Sequence, residues 1–378
     1  MREAAAGASV IVAAMEQSPI TFARGAPSLD IVPVEDLRAA AQAAFERDPK
    51  GAFSYGTGGG YGPLRDWIAE RHEVDRDQVL ATNGSMQADA FLFQLMVGPG
   101  DEVVVEGPTY DRTLAALREL GAEIIMIPVE ADGIDVDALA LALEQGARPR
   151  LAHIIPNFQN PAGATLSLDK RRRLLELAAA YEFTIFEDDP YGELRFEGES
   201  LPTMLSLDTD ERVVYASSFS KTVCPGIRAG YLVGPKATIA AVEQIATATY
   251  ISPNMVAQAI VAEFCRSGAL DRSIEAVKVA LRERRDATCA ALERDLPDAS
   301  FTPPAGGYFL WVSLPAGVDV DALAPAARER GVIFVKGTDF GGGLNTLRLA
   351  YSGVTPDEID EGIGRLAEAY RGLQVAAA

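Results

Sequence analysis

The stretch Ser217-Ser218-Phe219-Ser220-Lys221-Thr222-Val223-Cys224-Pro225-Gly226-Ile227-Arg228 follows a run of β type, Arg212-Val213-Val214-Tyr215-Ala216. A buried strand is therefore expected to deliver hydroxyls, a lysine and an arginine together at one strand end. A guanidinium fork and serine hydroxyls suit a phosphate dianion, because the fork matches its geometry and the hydroxyls take its remaining lone pairs. The lysine suits a different task. An amine held partly desolvated among cations loses basicity and becomes a nucleophile that can form a Schiff base with a carbonyl. Serine-rich loops that carry a lysine also occur as plain solvated loops, so the rest of the chain has to decide.

Bulk composition removes several function classes. A chain of 378 residues can bury a substantial core and suggests two domains. A net charge of −20 opposes a nucleic-acid partner. No apolar run is long enough to cross a bilayer, and the apolar patch within residues 1–15 is short, carries Glu3 and reads as an N-terminal helix or arm rather than a signal peptide. The three cysteines, Cys224, Cys265 and Cys289, are odd in number and not in metal spacing, which fits a reduced cytoplasm. With only His72 and His153, a zinc site or a Ser-His-Asp triad has little to be built from, and no metal is expected.

Runs of β type at 79–82, 101–106, 121–128, 150–156, 183–186, 212–216 and 229–234 are interleaved with helical patterns at 64–71, 85–96, 111–120 and 167–181. Such alternation predicts a mostly parallel sheet with helices on both faces. A further helix is expected at 34–45. A long charged one is expected at 271–294, with Arg282, Arg284 and Arg285 on a solvated side. Beyond it, strands are expected near 308–312, 331–335 and 345–352, with a helix at 318–330.

Chemistry-bearing residues recur where these strands end. Asn83-Gly84-Ser85-Met86 opens a helix whose free N–H groups form an anion site, unless Ser85 simply caps it. Tyr110 is placed to stack on a flat ring. Asn160 precedes a proline in Asn157-Phe158-Gln159-Asn160-Pro161-Ala162-Gly163. Asp188 and Asp189 stand side by side in Glu187-Asp188-Asp189-Pro190-Tyr191. A carboxylate there can keep a pyridine nitrogen protonated, and because adjacent strand residues point to opposite faces, the two do not read as a metal pair. Arg348 interrupts an apolar strand, which is costly unless the guanidinium is paired. The glycine-dense 53–65 contains no complete nucleotide motif.

Ser-Phe-Ser-Lys with an arginine seven residues on, together with Asn160-Pro161 and Asp188-Asp189-Pro190-Tyr191, resembles the fold-type I pyridoxal-phosphate aminotransferases, nearest the branch of 2-aminoadipate and aromatic aminotransferases. The likeness runs from about residue 22 to about residue 367. It implies an α/β fold: a mostly parallel seven-stranded sheet flanked by helices as the large domain, 46–283, and a smaller α+β domain built from both chain ends, 1–45 with 284–378. By resemblance the strand at 229–234 is antiparallel. Pyridoxal 5'-phosphate is the implied cofactor. It is expected on Lys221, with its phosphate among Ser85, Met86, Ser218, Ser220 and Arg228, its ring against Tyr110, its nitrogen on Asp188 and its ring oxygen on Asn160 and Tyr191. Met86 stands where the family often has glutamine, which leaves the backbone N–H as the contact. Arg348 is the expected anchor of the substrate α-carboxylate. Tyr55 is expected to reach the cofactor phosphate of a second subunit in a homodimer with shared active sites. Arg24, where the family has a small residue, is either an ordinary surface arginine or a selector of an anionic side chain; the 250–254 loop is a further candidate selector.

The implied activity is transfer of an α-amino group between an L-amino acid and a 2-oxo acid, in the cytoplasm. Elimination, oxidation or racemisation on the same cofactor is the nearest alternative. A non-catalytic effector-binding domain is the other. Against it, the chain is expected to leave no room for a DNA-binding module before Phe22, and the Lys221, Asp188 and Arg348 set is intact.

Overall fold

Val103, Val104 and Val105 are inaccessible to solvent, as are Leu151, Ala152 and Ile154 on the neighbouring strand. Successive side chains on a strand face opposite sides, so burial of consecutive residues requires cover on both faces. Val103 and Val105 pack with Ala88, Leu92, Leu114, Leu117 and Val242, from helices Ser85–Met96, Asp111–Glu119 and Lys236–Tyr250. Val104, between them, packs on the other side with Leu139, Leu143, Leu174 and Leu177, from helices Val136–Glu144 and Leu168–Tyr181. The computed structural model that shows this describes residues 19–377, with side chains through 373. The arm expected within 1–15 lies outside them.

From one edge to the other, the strands are Val79–Thr82, Gly230–Val233, Val213–Ser218, Thr184–Asp188, Leu151–Ile154, Glu102–Gly107 and Glu123–Glu130. Gly230–Val233 is antiparallel to both neighbours. Pairs from Val213–Ser218 across to Glu123–Glu130 are parallel. These are the seven expected strands; a two-residue strand, Gly133–Ile134, adds to the far edge.

A second, antiparallel sheet orders Ser300–Phe301, Phe309–Ser313, Thr346–Ala350 and Val335–Lys336. The single strand expected at 331–335 is in fact two. Val332–Ile333 pairs with Ile20–Thr21, and Val335–Lys336 pairs with Thr346–Ala350 on the other side of Phe334. Packing places helix Val34–Arg47, expected in the small unit, elsewhere: its Ala40 and Ala44 join the apolar cluster of helix Met255–Arg266 in the large one.

Helix Ala269–Asp295 joins the two cores. Its Ala269, Leu270 and Ile274 belong to the large unit's cluster, and its Val277, Leu281, Cys289 and Leu292 to the other. Of the three arginines expected on a solvated side, Arg284 and Arg285 are 3% and 5% exposed. Arg284 donates to Asp30 (2.6 Å), Ser28 and the Ser352 carbonyl, while Arg285 reaches Glu197 and the Pro304 carbonyl. The helix keeps an exposed face that includes Arg282, but Arg284 and Arg285 turn inward to partners most of which are distant in sequence, so helical spacing alone could not reveal them.

Arg171 is fully buried and ties together the turns that follow the central strands. It donates to the carbonyls of Pro156, Leu166 and Pro202 and to the Asn157 side chain. Arg171→Met leaves these acceptors unmatched and should cost on the order of 3 kcal/mol or more. Arg171→Lys should recover little, lacking the planar fork. The urea midpoints of the two variants check this.

Candidate active site

The parallel strands end along one edge of the sheet, where an open α/β sheet offers its crevice. Ser85 follows Thr82 there, Tyr110 follows Gly107, Asn160 follows Ile154, Tyr191 follows Asp188, and Lys221 follows Ser218. All line one cavity of about 170 Å³, together with Met86, Asp89, Ser220 and Arg228. A second cavity, of about 350 Å³, shares Tyr110, Asn160, Tyr191 and Lys221 as its wall and adds Arg348, Arg24 and Arg112. A larger cleft of about 710 Å³ opens near Asp189, Tyr215 and His72 but holds none of the expected site residues.

The cradle at the first cavity is a turn, a helix start and an arginine. Gly84 sits at φ 90°, and a Cβ on it would lie 2.3 Å from the Arg228 guanidinium, so glycine is required. Gly84 rather than Ser85 occupies the N-cap, and no side chain caps the helix, which leaves its first N–H groups turned toward the cavity. Arg228, itself left-handed at φ 47°, donates to Ser220 Oγ at 2.9 Å. Ser218 is turned to the backbone instead: its Oγ accepts from the Ser220 N–H and donates to the Ala229 carbonyl.

Lys221 stands between the two cavities. Its Nζ donates to the Gly25 carbonyl and lies 5.8 Å and 5.3 Å from the ring centroids of Tyr191 and Tyr308. Burial lowers the amine to about 8; Arg348 and Arg228 push the same way and Asp188 opposes. Tyr308 fixes the lysine's backbone, its hydroxyl donating to the Lys221 carbonyl at 2.8 Å. Nothing in the sequence reading singled out Tyr308; its place directly after Gly306-Gly307 was the available signal.

Arg348 is 6% exposed, yet forms no ion pair among the described residues. Its two terminal nitrogens donate to Asn160 Oδ1 and the Ala23 carbonyl, both at 2.7 Å, and its Nε has no partner. The guanidinium lies over Phe309 and Phe340, at 4.3 Å and 4.7 Å. A buried cation without an anion is costly, and the cavity in front of it is where an anion can enter.

The two adjacent aspartates are separated by their surroundings. Asp189 accepts from Asn157 Nδ2 (2.9 Å) and the Gly192 N–H (2.8 Å), so it is committed to the turn; burial raises it to about 6. Asp188 faces the first cavity. Its Oδ1 is buried with no hydrogen-bond partner, and its Oδ2 lies 3.5 Å from His153 Nε2. The Tyr191 phenol, also buried, is pushed well above its usual range. Tyr110 meets Met86 through its hydroxyl at 3.8 Å to the sulfur.

Two expected residues stand apart. Tyr55 is 84% exposed and lines neither cavity. Arg24 reaches the second cavity but is exposed, without an ion pair among the described residues. The rest fit the expected cofactor: an anion cradle, a lysine of lowered basicity, a carboxylate oxygen in want of a donor, and a guanidinium in want of an anion.

Residues 18–366 match the family described as Aminotransferase class I and II. The chain is 36% identical over 363 residues to the aromatic-amino-acid aminotransferase 1 of Thermococcus litoralis, covering 92% of this chain and 87% of that protein. It superposes with a TM-score of 0.91 and 33% identity on an α-aminoadipate aminotransferase from Thermus thermophilus, complexed with N-(5'-phosphopyridoxyl)-L-leucine, covering 97% of this chain and 95% of that one. A kynurenine aminotransferase from Pyrococcus horikoshii, in complex with PMP and with KYN and KYA as substrates and products, gives 0.90 at 35% identity, covering 97% and 94%.

The lowered basicity of Lys221 has a signed consequence. The folded amine titrates near 8 against 10.5 when exposed. Its burial penalty is therefore full below pH 8 and is relieved as pH rises toward 10.5, so stability gains over that window. Urea unfolding of cofactor-free protein should show this gain relative to Lys221→Met. Equal pH dependence in the two would contradict it.

Proposed function

The chain belongs to the class I and II aminotransferases and moves an amino group between amino and 2-oxo acids with pyridoxal phosphate, and from that premise we propose which of its residues perform the transfer. Lys221 is the residue that carries the cofactor and later moves the proton. Bound pyridoxal phosphate supplies a sink for the electron pair left when the α-hydrogen departs as a proton. Lys221 Nζ, its basicity lowered to about 8 by burial, would take that proton and later return it.

The other residues position and polarise. Arg348 grips the α-carboxylate, and its free Nε supplies a donor for which the protein has no acceptor. With the carboxylate fixed, the bond to hydrogen is the one held across the ring plane, and proton loss is favoured over loss of carbon dioxide. Asp188 holds a proton on the ring nitrogen by its negative charge, Tyr110 stacks on the ring, and Asn160 and Tyr191 hold the ring oxygen. Ser85, Met86, Ser220 and Arg228 receive the phosphate; Ser218 supports Ser220. The buried guanidinium of Arg348, with a free Nε and no carboxylate paired to it among the described residues, is the observation that carries this reading.

A second copy of the chain completes the site. Tyr55, Phe53 and Ile251 are large, exposed and near the glycine-dense loop and the 250–254 turn, as a shared interface requires. A sedimentation mass of one chain would sink this part of the reading. Location in the cytoplasm agrees with three cysteines that form no disulfide and with the lack, among the described residues, of a helix long and apolar enough to cross a membrane.

Borohydride reduction of the native holoenzyme should fix a pyridoxyl group on the peptide containing Lys221, and Lys221→Ala should lose both the adduct and the visible absorption. An adduct on another lysine would refute the assignment. We propose Arg24 as the selector of anionic side chains, since it stands unpaired at the mouth of the Arg348 cavity. Arg24→Gln should raise KM about tenfold or more for dicarboxylic 2-oxo acids, as loss of a charge-assisted bond does, and leave aromatic donors unchanged.

A further inference from the structure

Asp89 lies on the buried face of helix Ser85–Met96, lines the same cavity as Asp188, and has an Oδ1 without a partner. His153, on strand Leu151–Ile154 beside the strand that ends in Asp188, is fully buried, and neither ring nitrogen forms a hydrogen bond. Its Nε2 is 3.5 Å from Asp188 Oδ2, an approach too long for a strong bond but within the reach of charge. Phe93 stands one turn beyond Asp89 on the same helix face and packs on the His153 ring at 5.9 Å, with Phe186 edge-on at 5.3 Å. Asp89, across the shared cavity, and His153, in a spot walled by aromatic rings, therefore both stand beside Asp188.

Packing gives no reason for these residue types. Leucine and phenylalanine would fill an aromatic-walled core without the cost of burying polar atoms that lack partners. Two carboxylates in one buried site cannot both ionise cheaply. Burial first, and then the nearness of Asp188, push Asp89 well above the usual carboxylate range.

We propose that Asp89 and His153 are positioning residues for Asp188, the three forming one buried unit that aims the Asp188 carboxylate at the ring nitrogen of the cofactor. The proposal rests on the assignment of Asp188 to that nitrogen. Neither residue touches the reacting atoms. Their work is to hold the Asp188 carboxylate in one orientation while keeping water, which would weaken its field, out of the space beside it.

Histidine spectra offer a clean test, because the chain has only two histidines. In cofactor-free protein labelled with [15N]histidine, Asp89→Asn should move the ring signals of His153 and leave those of His72, which meets Tyr231 on the far side of the sheet, in place. In holoenzyme carrying cofactor labelled with 15N in its ring, Asp89→Leu and His153→Phe should shift the ring-nitrogen signal toward the unprotonated form. They should also lower kcat about tenfold at unchanged KM, as loss of a partner that orients a reactive group does. Asp89→Asn and His153→Gln serve the same readouts should an apolar variant fail to fold. A ring-nitrogen signal and kcat equal to wild type in both residues' variants would overturn the proposal. Wild-type protein that takes up no cofactor would instead remove the assignment of Asp188, and the His153 response to Asp89→Asn would still decide whether the three act as a unit.

Discussion

Uncompensated positive charge is the constraint around which this molecule is arranged. Lys221, Arg228 and Arg348 converge on two adjoining cavities in a chain whose net charge is −20, and Asp188 is the anion that faces them from the sheet. Gathering cations in a partly dry space is unfavourable, and the fold enforces it through rigid attachments. Arg228 is set by the left-handed turn before an antiparallel strand, and Arg348 by a strand paired on both sides. Lys221 is set by the end of a parallel strand and by the bond from Tyr308 to its carbonyl. The lowered basicity of the lysine and the anion-seeking guanidinium are two results of this one arrangement. On the proposed reading, a phosphate and a carboxylate resolve both.

Much of this was legible because the chemistry sits at strand ends. There a regular apolar run is broken by glycine, proline or paired acids, and the break shows in the sequence. Alternation told only that Asp188 and Asp189 face opposite ways, and resemblance picked Asp188; the structure gives a reason for the neighbour, since Asp189 holds the turn through Asn157 and Gly192. Resemblance supplied what alternation could not, above all the work of Arg348. What stayed hidden depends on partners distant in the chain. Arg284 and Arg285 look like any surface arginines on a charged helix, and their partners Asp30, Ser352 and Glu197 lie 254, 68 and 88 residues away. Asp89 and His153 were equally silent, since a polar residue within an apolar stretch gives no sign of what it faces.

The two cores are less separable than a two-domain description suggests. Ile155, Phe158 and Tyr191, which follow strands of the large sheet, belong to the apolar cluster of the small one. Helix Ala269–Asp295 runs unbroken from one cluster to the other. The cofactor cavity thus lies on a seam whose two sides share buried residues.

Residues 23–26 line the second cavity next to the buried Phe22, and their hydrogen bonds run through the backbone. The carbonyls of Phe22, Ala23, Gly25 and Ala26 accept, in turn, from the Ala350 N–H, Arg348, Lys221 and Ser352, while the Arg24 side chain bonds to nothing among the described residues. A peptide carbonyl is the same whatever side chain it carries. Mutation can therefore rewrite position 24 freely without loosening the grip that the reactive groups depend on. If Arg24 selects the substrate side chain as proposed, its preference can drift by single codon changes while the backbone grip behind the reactive groups stands still.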